Sequence, residues 1–398
     1  MANTDRTRDA GPQQGGGRTD RHFFLVAGEP SGDMLGASLM EALAGELGGA
    51  VRFSGIGGEQ MRAQGMDSLF PLSEMAVMGP VAIARRIVPL LRRIRQTAEA
   101  AIASDAEALV IIDSPEFTHR VARRVRARRP SMKIINYVSP TVWAWRPGRA
   151  KAMRGYVDHV LAVFPFEPAV MAELDGPPCS YVGHPLAARI DQLRGTGQAA
   201  LSPPVLVVLP GSRVSEVSRL MAPFGETVAR AKARLPDLRV ILPAVSSVRR
   251  LIETEVKTWD VQPEIVGGEA AKLAAFHAAT AALAASGTVS LELALARVPM
   301  VIGYRVEPLM VLFRFLLRLH SVVMANLILG RNAIPELLQE KCIPDLLTAA
   351  LLPLLTDTPQ RRAQISALEE VADKVRTSEQ PPTNAARQVL ALTGKPAP

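Results

Sequence analysis

Ala108-Leu109-Val110-Ile111-Ile112-Asp113 is an apolar run that stops on a carboxylate, and Val205-Leu206-Val207-Val208-Leu209-Pro210-Gly211-Ser212-Arg213 is another that stops on a glycine turn and a guanidinium. Short apolar runs closed by turn residues and followed by helical periodicity mark strands of a helix-covered parallel sheet. In the first half such runs fall at 23–27, 51–54, 108–112, 134–138, 159–163 and 180–182, with helices expected over 33–47, 81–103 and 116–128. The second half repeats the alternation, with strands at 205–209, 239–242, 264–266, 281–284 and 300–302 and helices over 214–234, 246–258, 270–278 and 289–296. The segment 334–393 reads as wholly helical. The pattern predicts an α/β protein of two parallel-sheet lobes facing across a cleft. Ligands of such sheets collect beyond the carboxyl ends of the strands. A carboxylate on one lobe and an arginine loop on the other therefore suggest an acceptor held opposite a phosphorylated donor.

Four segments follow: a disordered tail over 1–21, an acceptor-side domain over 22–200, a donor-side domain over 201–355, and C-terminal helices with a tail over 356–398. Pro203-Pro204 and the Gly/Gln segment 195–198 mark the linker. The 398 residues are 48% hydrophobic and 21% charged, which is globular composition, and the net charge of +8 favours anionic partners. No RNA-recognition, zinc-finger or helix-turn-helix signature accompanies that charge, so nucleic acid is not expected. Cys179 and Cys342 give neither a disulfide framework nor ligand spacing for a metal. No export signal precedes the first strand, and the expectation is a cytoplasmic protein. The apolar stretch 309–329 carries Arg314, Arg318, His320 and Asn326, which argues against a membrane span. Leu309, Phe313 and Leu317 beside Arg314 and Arg318 fit a basic helix lying on a membrane surface, and equally a core or dimer helix.

Gly28-Glu29-Pro30-Ser31-Gly32-Asp33 follows the first strand, as a close-approach glycine loop or a plain tight turn, with Asp33 capping the next helix. It lacks the Lys-Ser/Thr ending of a Walker loop. Asp113, before Ser114-Pro115, is either a helix cap or a general base. Gly211, Ser212 and Arg213 would bring backbone N–H groups, a helix dipole and a guanidinium onto a pyrophosphate; alternatively Ser212 caps the helix and Arg213 pairs with Glu216. Ser286, Gly287 and Thr288 repeat that design, and Glu292, one turn on, suits a ribose diol or a plain surface position. Trp143 and Trp145 fit a sugar platform, a lipid entrance or core packing. His184 reads as a structural histidine. No carboxylate or histidine cluster has metal-ligand spacing, so no metal and no cofactor is expected.

In this order, the segments 27–33, 53–58, 112–117, 137–146, 182–186, 209–213, 285–292, 299–305 and 336–339 resemble those of the lipid-A-disaccharide synthases of Gram-negative bacteria over about residues 22–392. The resemblance implies two Rossmann-like domains of the GT-B type. It implies an inverting glycosyltransferase that joins UDP-2,3-diacylglucosamine to 2,3-diacylglucosamine 1-phosphate. Asp113 then matches the base and Arg213 the phosphate-binding arginine. Glu292 with Ser286-Gly287-Thr288 matches the nucleotide loop, and Asn326 a functional asparagine near the cleft, although Ala325 stands where the family carries proline. Work at the anionic inner leaflet of the inner membrane is implied. So are homodimers, with C-terminal segments crossing back or exchanged. A UDP-GlcNAc 2-epimerase and a non-catalytic nucleotide-sugar binder are the competing classes.

Overall fold

The computed structural model describes residues 20–75, 80–195, 201–306 and 321–394, which build two six-stranded sheets. The first holds β1 (Arg21–Ala27), β2 (Val51–Ile56), β3 (Ala108–Ile112), β4 (Lys133–Tyr137), β5 (His159–Ala162) and β6 (Cys179–Tyr181), ordered β2-β1-β3-β4-β5-β6. The second holds β7 (Val205–Leu209), β8 (Arg239–Pro243), β9 (Glu264–Val266), β10 (Ala281–Ala284), β11 (Met300–Tyr304) and β12 (Glu336–Leu338), ordered β12-β11-β10-β7-β8-β9. Every pairing is parallel. The central strands β1, β3 and β7 are buried at every position. That is why their sequences are continuous apolar runs rather than alternating ones.

One expectation is overturned. The segment 334–393 is not wholly helical, because Glu336–Leu338 joins the edge of β11 as β12. Three residues are too few to display a period of two, and the strand is specified by the open edge beside it.

Register sets where the sites form. Ile112 pairs with Ala27 on one side and Tyr137 on the other. Gly28, Asp113 and Val138 therefore leave the first sheet at one level. In the second sheet Ala284 pairs with both Leu209 and Ile302, so the loops at 210–213 and 285–288 leave together. Each sheet reverses its strand order at this point, between β1 and β3 and between β7 and β10. Such switch points splay adjacent loops apart and open a crevice.

Apolar clusters cover both faces of each sheet. Leu186, Ile190 and Leu193 already pack with the second sheet. The chain thus crosses near Gly183, ahead of the border expected at 200/201. Helix Pro359–Val375 packs on the second sheet as well, but helix Pro381–Leu392 returns to the first, where Ala385, Ala386, Val389 and Leu390 lie with Leu39, Met40 and Leu43. The two crossings touch. The Tyr181 hydroxyl donates to the Val375 carbonyl at 2.6 Å, and a Cβ on Gly183 would stand 2.9 Å from Pro381.

Candidate functional site

The loops at the second switch point wall a cavity of about 720 Å³. Gly211, Ser212, Arg213, Ser286, Gly287, Thr288 and Glu292 all line it, together with Lys272, Glu269 and Tyr304, which the sequence reading missed. Glu269 and Lys272 carry no motif, and Tyr304 lies in the 299–305 segment with no role read for it, so only the fold gathers them.

At the 210–213 loop the guanidinium and the backbone are both already engaged. Glu216 Oε2 accepts from the Ser212 and Arg213 N–H groups at 3.1 and 3.3 Å, and Glu216 Oε1 lies 3.3 Å from Arg213 Nη1. Ser212 does not cap the helix; Arg213 holds the cap position. The Arg213 side chain is nonetheless 77% exposed, and Gly211 has φ 115°, a conformation suited to glycine. The loop therefore turns a guanidinium and backbone N–H groups toward the cavity, with a carboxylate of its own lodged among them.

Glu292 is not a surface residue. Its side chain is 12% exposed, and Lys272 Nζ lies 3.1 Å from each carboxylate oxygen while also reaching Glu269 at 2.9 Å. Pairing to both oxygens fixes the carboxylate plane and leaves further lone pairs facing the cavity. The Ser286 hydroxyl donates to the Val322 carbonyl, so it shapes the loop.

Asn326 does not join this site. It is fully buried: its amide nitrogen donates to Ile334 O and Glu336 Oε1, and its oxygen accepts from the Ala333 and Ile334 N–H groups. Every polar atom is consumed in fastening β12 and the turn before it. Among the expected membrane residues, Leu309, Phe313, Arg314, Leu317 and Arg318 lie outside the described residues. No described helix is long and apolar enough to cross a membrane.

At the first switch point, Asp113 and Ser114 both take left-handed backbone, φ 56° and 46°. Such strain in non-glycine residues gathers at functional turns. Gly28 permits it, since a Cβ there would fall 2.0 Å from that of Ser114. Asp113 Oδ1 accepts from the Ser114 N–H at 2.7 Å and Oδ2 from the Ser31 hydroxyl at 3.2 Å. Burial first, and the Asp113 charge second, raise the Glu29 carboxyl above its ordinary value. Gly32 serves packing, with Ile112 O 3.3 Å from its Cβ position. Asp33 does not cap its own helix: it accepts from the N–H groups of Gly58, Gln60 and Met61 and so caps helix Glu59–Ala63 across the lobe.

Beside these lies the loop after β4. The Trp143 indole donates to Glu167 Oε1 at 3.1 Å and meets Phe166 edge-on, which makes it a packing residue. Trp145 is exposed, with the Arg146 guanidinium 4.0 Å above its ring. His184 accepts from the Leu186 N–H at 3.1 Å and stacks on Phe164, while burial lowers its pKa to about 4. It is structural.

Known proteins resemble this arrangement. A family model described as lipid-A-disaccharide synthetase matches residues 23–390. The chain is 53% identical to the lipid-A-disaccharide synthase of Rhodopseudomonas palustris (strain HaA2), over 93% of this chain and 95% of that one. Among solved structures, the calicheamicin glycosyltransferase CalG4 matches with a TM-score of 0.58 at 17% identity, covering 95% of this chain and 100% of that one. The UDP-GlcNAc 2-epimerase of Methanocaldococcus jannaschii, solved with UDP-GlcNAc and UDP, matches at 0.55 and 10% identity, covering 94% and 99%. These two likenesses are of fold alone, and the fold is the GT-B arrangement of two Rossmann-like domains.

Proposed function

The chain belongs to the lipid-A-disaccharide synthetase family, a family of glycosyltransferases, and from that membership we infer how its two switch points divide the reaction. The donor is UDP-2,3-diacylglucosamine, seated in the second-sheet cavity. Its ribose diol donates to Glu292, and its diphosphate meets Arg213 and the start of helix Thr288–Leu295. The acceptor is 2,3-diacylglucosamine 1-phosphate, lying along the carboxyl edge of the first sheet with its 6-hydroxyl on Asp113. The 6-oxygen attacks the donor anomeric carbon from the face opposite UDP. The new C–O bond forms as the bond to UDP breaks, the hydroxyl proton passes to Asp113, and the β-1,6 disaccharide 1-phosphate leaves with UDP. One displacement inverts the centre and needs no covalent intermediate. Charge developing on the leaving diphosphate is met by Arg213 and the helix end.

The observation that carries this reading is the paired layout of the loops. Arg213 and Glu292 open into one cavity on the second sheet, and the Asp113 carboxylate stands on strained backbone at the switch point of the first. Acylated substrates also place the work at a membrane surface on the cytoplasmic side. Val88 and Leu91, exposed on helix Pro80–Ala103 beside Arg92, Arg93 and Arg95, support that placement. The test incubates purified protein with both substrates in non-ionic detergent. Disaccharide 1-phosphate and UDP in equal amounts is the expected result. Epimerised donor, or binding without turnover, would sink the reading.

A further inference from the structure

Glu116 stands three residues beyond Asp113, in the first turn of helix Pro115–Arg128. Three guanidiniums gather on it. Arg149 bonds Oε1, Arg146 lies 3.3 Å from the same oxygen, and Arg120 lies 3.7 Å from Oε2. Arg120 comes from the same helix, whereas Arg146 and Arg149 come from the loop and helix after β4, the neighbour of β3 in the sheet. Three cations thus share one carboxylate, leaving an excess of two positive charges.

The cluster is open and partly ordered in advance. Arg146 and Arg120 are 53% and 48% exposed. Arg146 rests on the Trp145 ring and, like Asp113 and Ser114, has left-handed backbone, φ 52°. A stacked guanidinium loses less freedom when it binds an anion. Burial alone would raise the Glu116 carboxyl, but Arg149, Arg146 and Arg120 hold it below its ordinary value. The same field reaches the His119 ring, which burial and then Arg149 and Arg123 keep neutral.

We propose that Arg146, Arg149 and Arg120 form the subsite for the anomeric phosphate of the acceptor. The proposal rests on the acceptor reading above and deepens it. A phosphate monoester carries about −1.5 to −2 charges near pH 7, which matches the excess of the cluster. A pyranose holds its 6-hydroxyl and anomeric oxygen on either side of the ring oxygen. Asp113 directly follows β3 and Glu116 lies in the first turn of the next helix, so the two ends of one sugar can meet adjacent parts of a single βα turn. A phosphate anchored on the arginines therefore delivers the 6-hydroxyl to Asp113. It also fixes the sugar's direction in the cleft, so that no other hydroxyl is presented.

The experiment compares two acceptors in non-ionic detergent, the 1-phosphate and its 1-hydroxyl analogue, with full-length protein and the single variants Arg146→Gln and Arg120→Gln. The readout is the ratio of kcat/KM for the two acceptors. The unmodified protein should favour the phosphate by on the order of 10-fold or more, the scale of a charge-assisted bond. Arg146→Gln should bring the ratio down severalfold, mainly through acceptor KM, and Arg146→Lys should restore part of it. Equal use of both acceptors by the unmodified protein, or an unchanged ratio in both Gln variants, overturns the subsite while leaving the transferase reading intact. Loss of binding to anionic vesicles with the ratio unchanged would assign the cluster to lipid headgroups and overturns it too. If the unmodified protein transfers to neither acceptor, the functional reading falls and takes this inference with it.

Discussion

Asp113 shows how one residue can be legible in type and illegible in setting. A carboxylate ending an apolar run is visible in the sequence, but the strained turn that Gly28 allows, and the Ser31 hydroxyl that orients it, depend on the loop and helix after the neighbouring strand β1. If it takes the proton of the attacking hydroxyl, Asp113→Asn should lower turnover by about 10²-fold or more. UDP affinity should hold, because the nucleotide cavity belongs to the other sheet; near-normal turnover of the folded variant would remove Asp113 from the chemistry. Arg213 is the converse case. The motif offered an anion loop or a pairing with Glu216; the pairing is present, and the loop lines the cavity all the same. Arg213→Ala should weaken UDP by about tenfold, measured by calorimetry, with a smaller effect on uridine. Equal losses for both ligands would mean that Arg213 supports the loop rather than the diphosphate. Asn326 was legible only by family likeness, and its hydrogen bonds turn out to hold β12. Lys272 was illegible, because no local pattern announces a lysine that meets Glu292 from another helix.

Among elements, the long buried strands and their helices were readable because helix cover on both faces demands unbroken apolar runs. Helix Val214–Arg234 falls where its periodicity placed it. Short elements were readable only in part: the three-residue β6 and β9 were expected, but β12 was not. The loop after β4 depends on a contact the sequence hides. Glu167, in helix Glu167–Glu173, accepts from Trp143 Nε1 and from the Val163 and Phe164 N–H groups while almost wholly enclosed. Burial raises its pKa from 4.5 to about 7 even against those three donors, which favour the ionised form. The native state then keeps a proton that the unfolded chain releases near pH 4.5. Stability through this group is full below that pH and falls as pH rises toward about 7, by roughly 3 kcal/mol across the window. Melting temperatures at pH 5 and 7.5 should differ less in Glu167→Gln than in the unmodified protein. Identical slopes would show that Glu167 already sheds its proton near the ordinary value in the fold.

Over the whole molecule, each lobe has its own sheet and core, yet the first lobe is built from two distant parts of the sequence. Helix Pro381–Leu392 covers Leu39, Met40 and Leu43 on helix Pro30–Glu46, and Arg387 pairs with Glu46 at 3.0 Å. A chain ending at residue 380 should lose that cover, and burying several such side chains is worth about 1.5–3 kcal/mol each. Calorimetry should then show the first lobe melting well below the second, with UDP still raising the second transition. A single unshifted transition would mean that the helix is dispensable. The two-lobed layout was legible from the repeated βα alternation; the last helix was open between crossing back and exchange, and only by the family likeness, since an amphipathic helix does not say which sheet it will cover.

That return also has a consequence in time. During synthesis the first sheet emerges complete, with its helices, while the groove over Leu39, Met40 and Leu43 still lacks its cover. The missing piece follows only after the entire second sheet, a wait on the order of 10 s or more at about 5–20 residues per second. The later lobe can therefore close before the earlier one. For that interval the nascent chain carries an apolar furrow open to chaperones and to other nascent chains, and the slowest part of the protein to mature is the part made first.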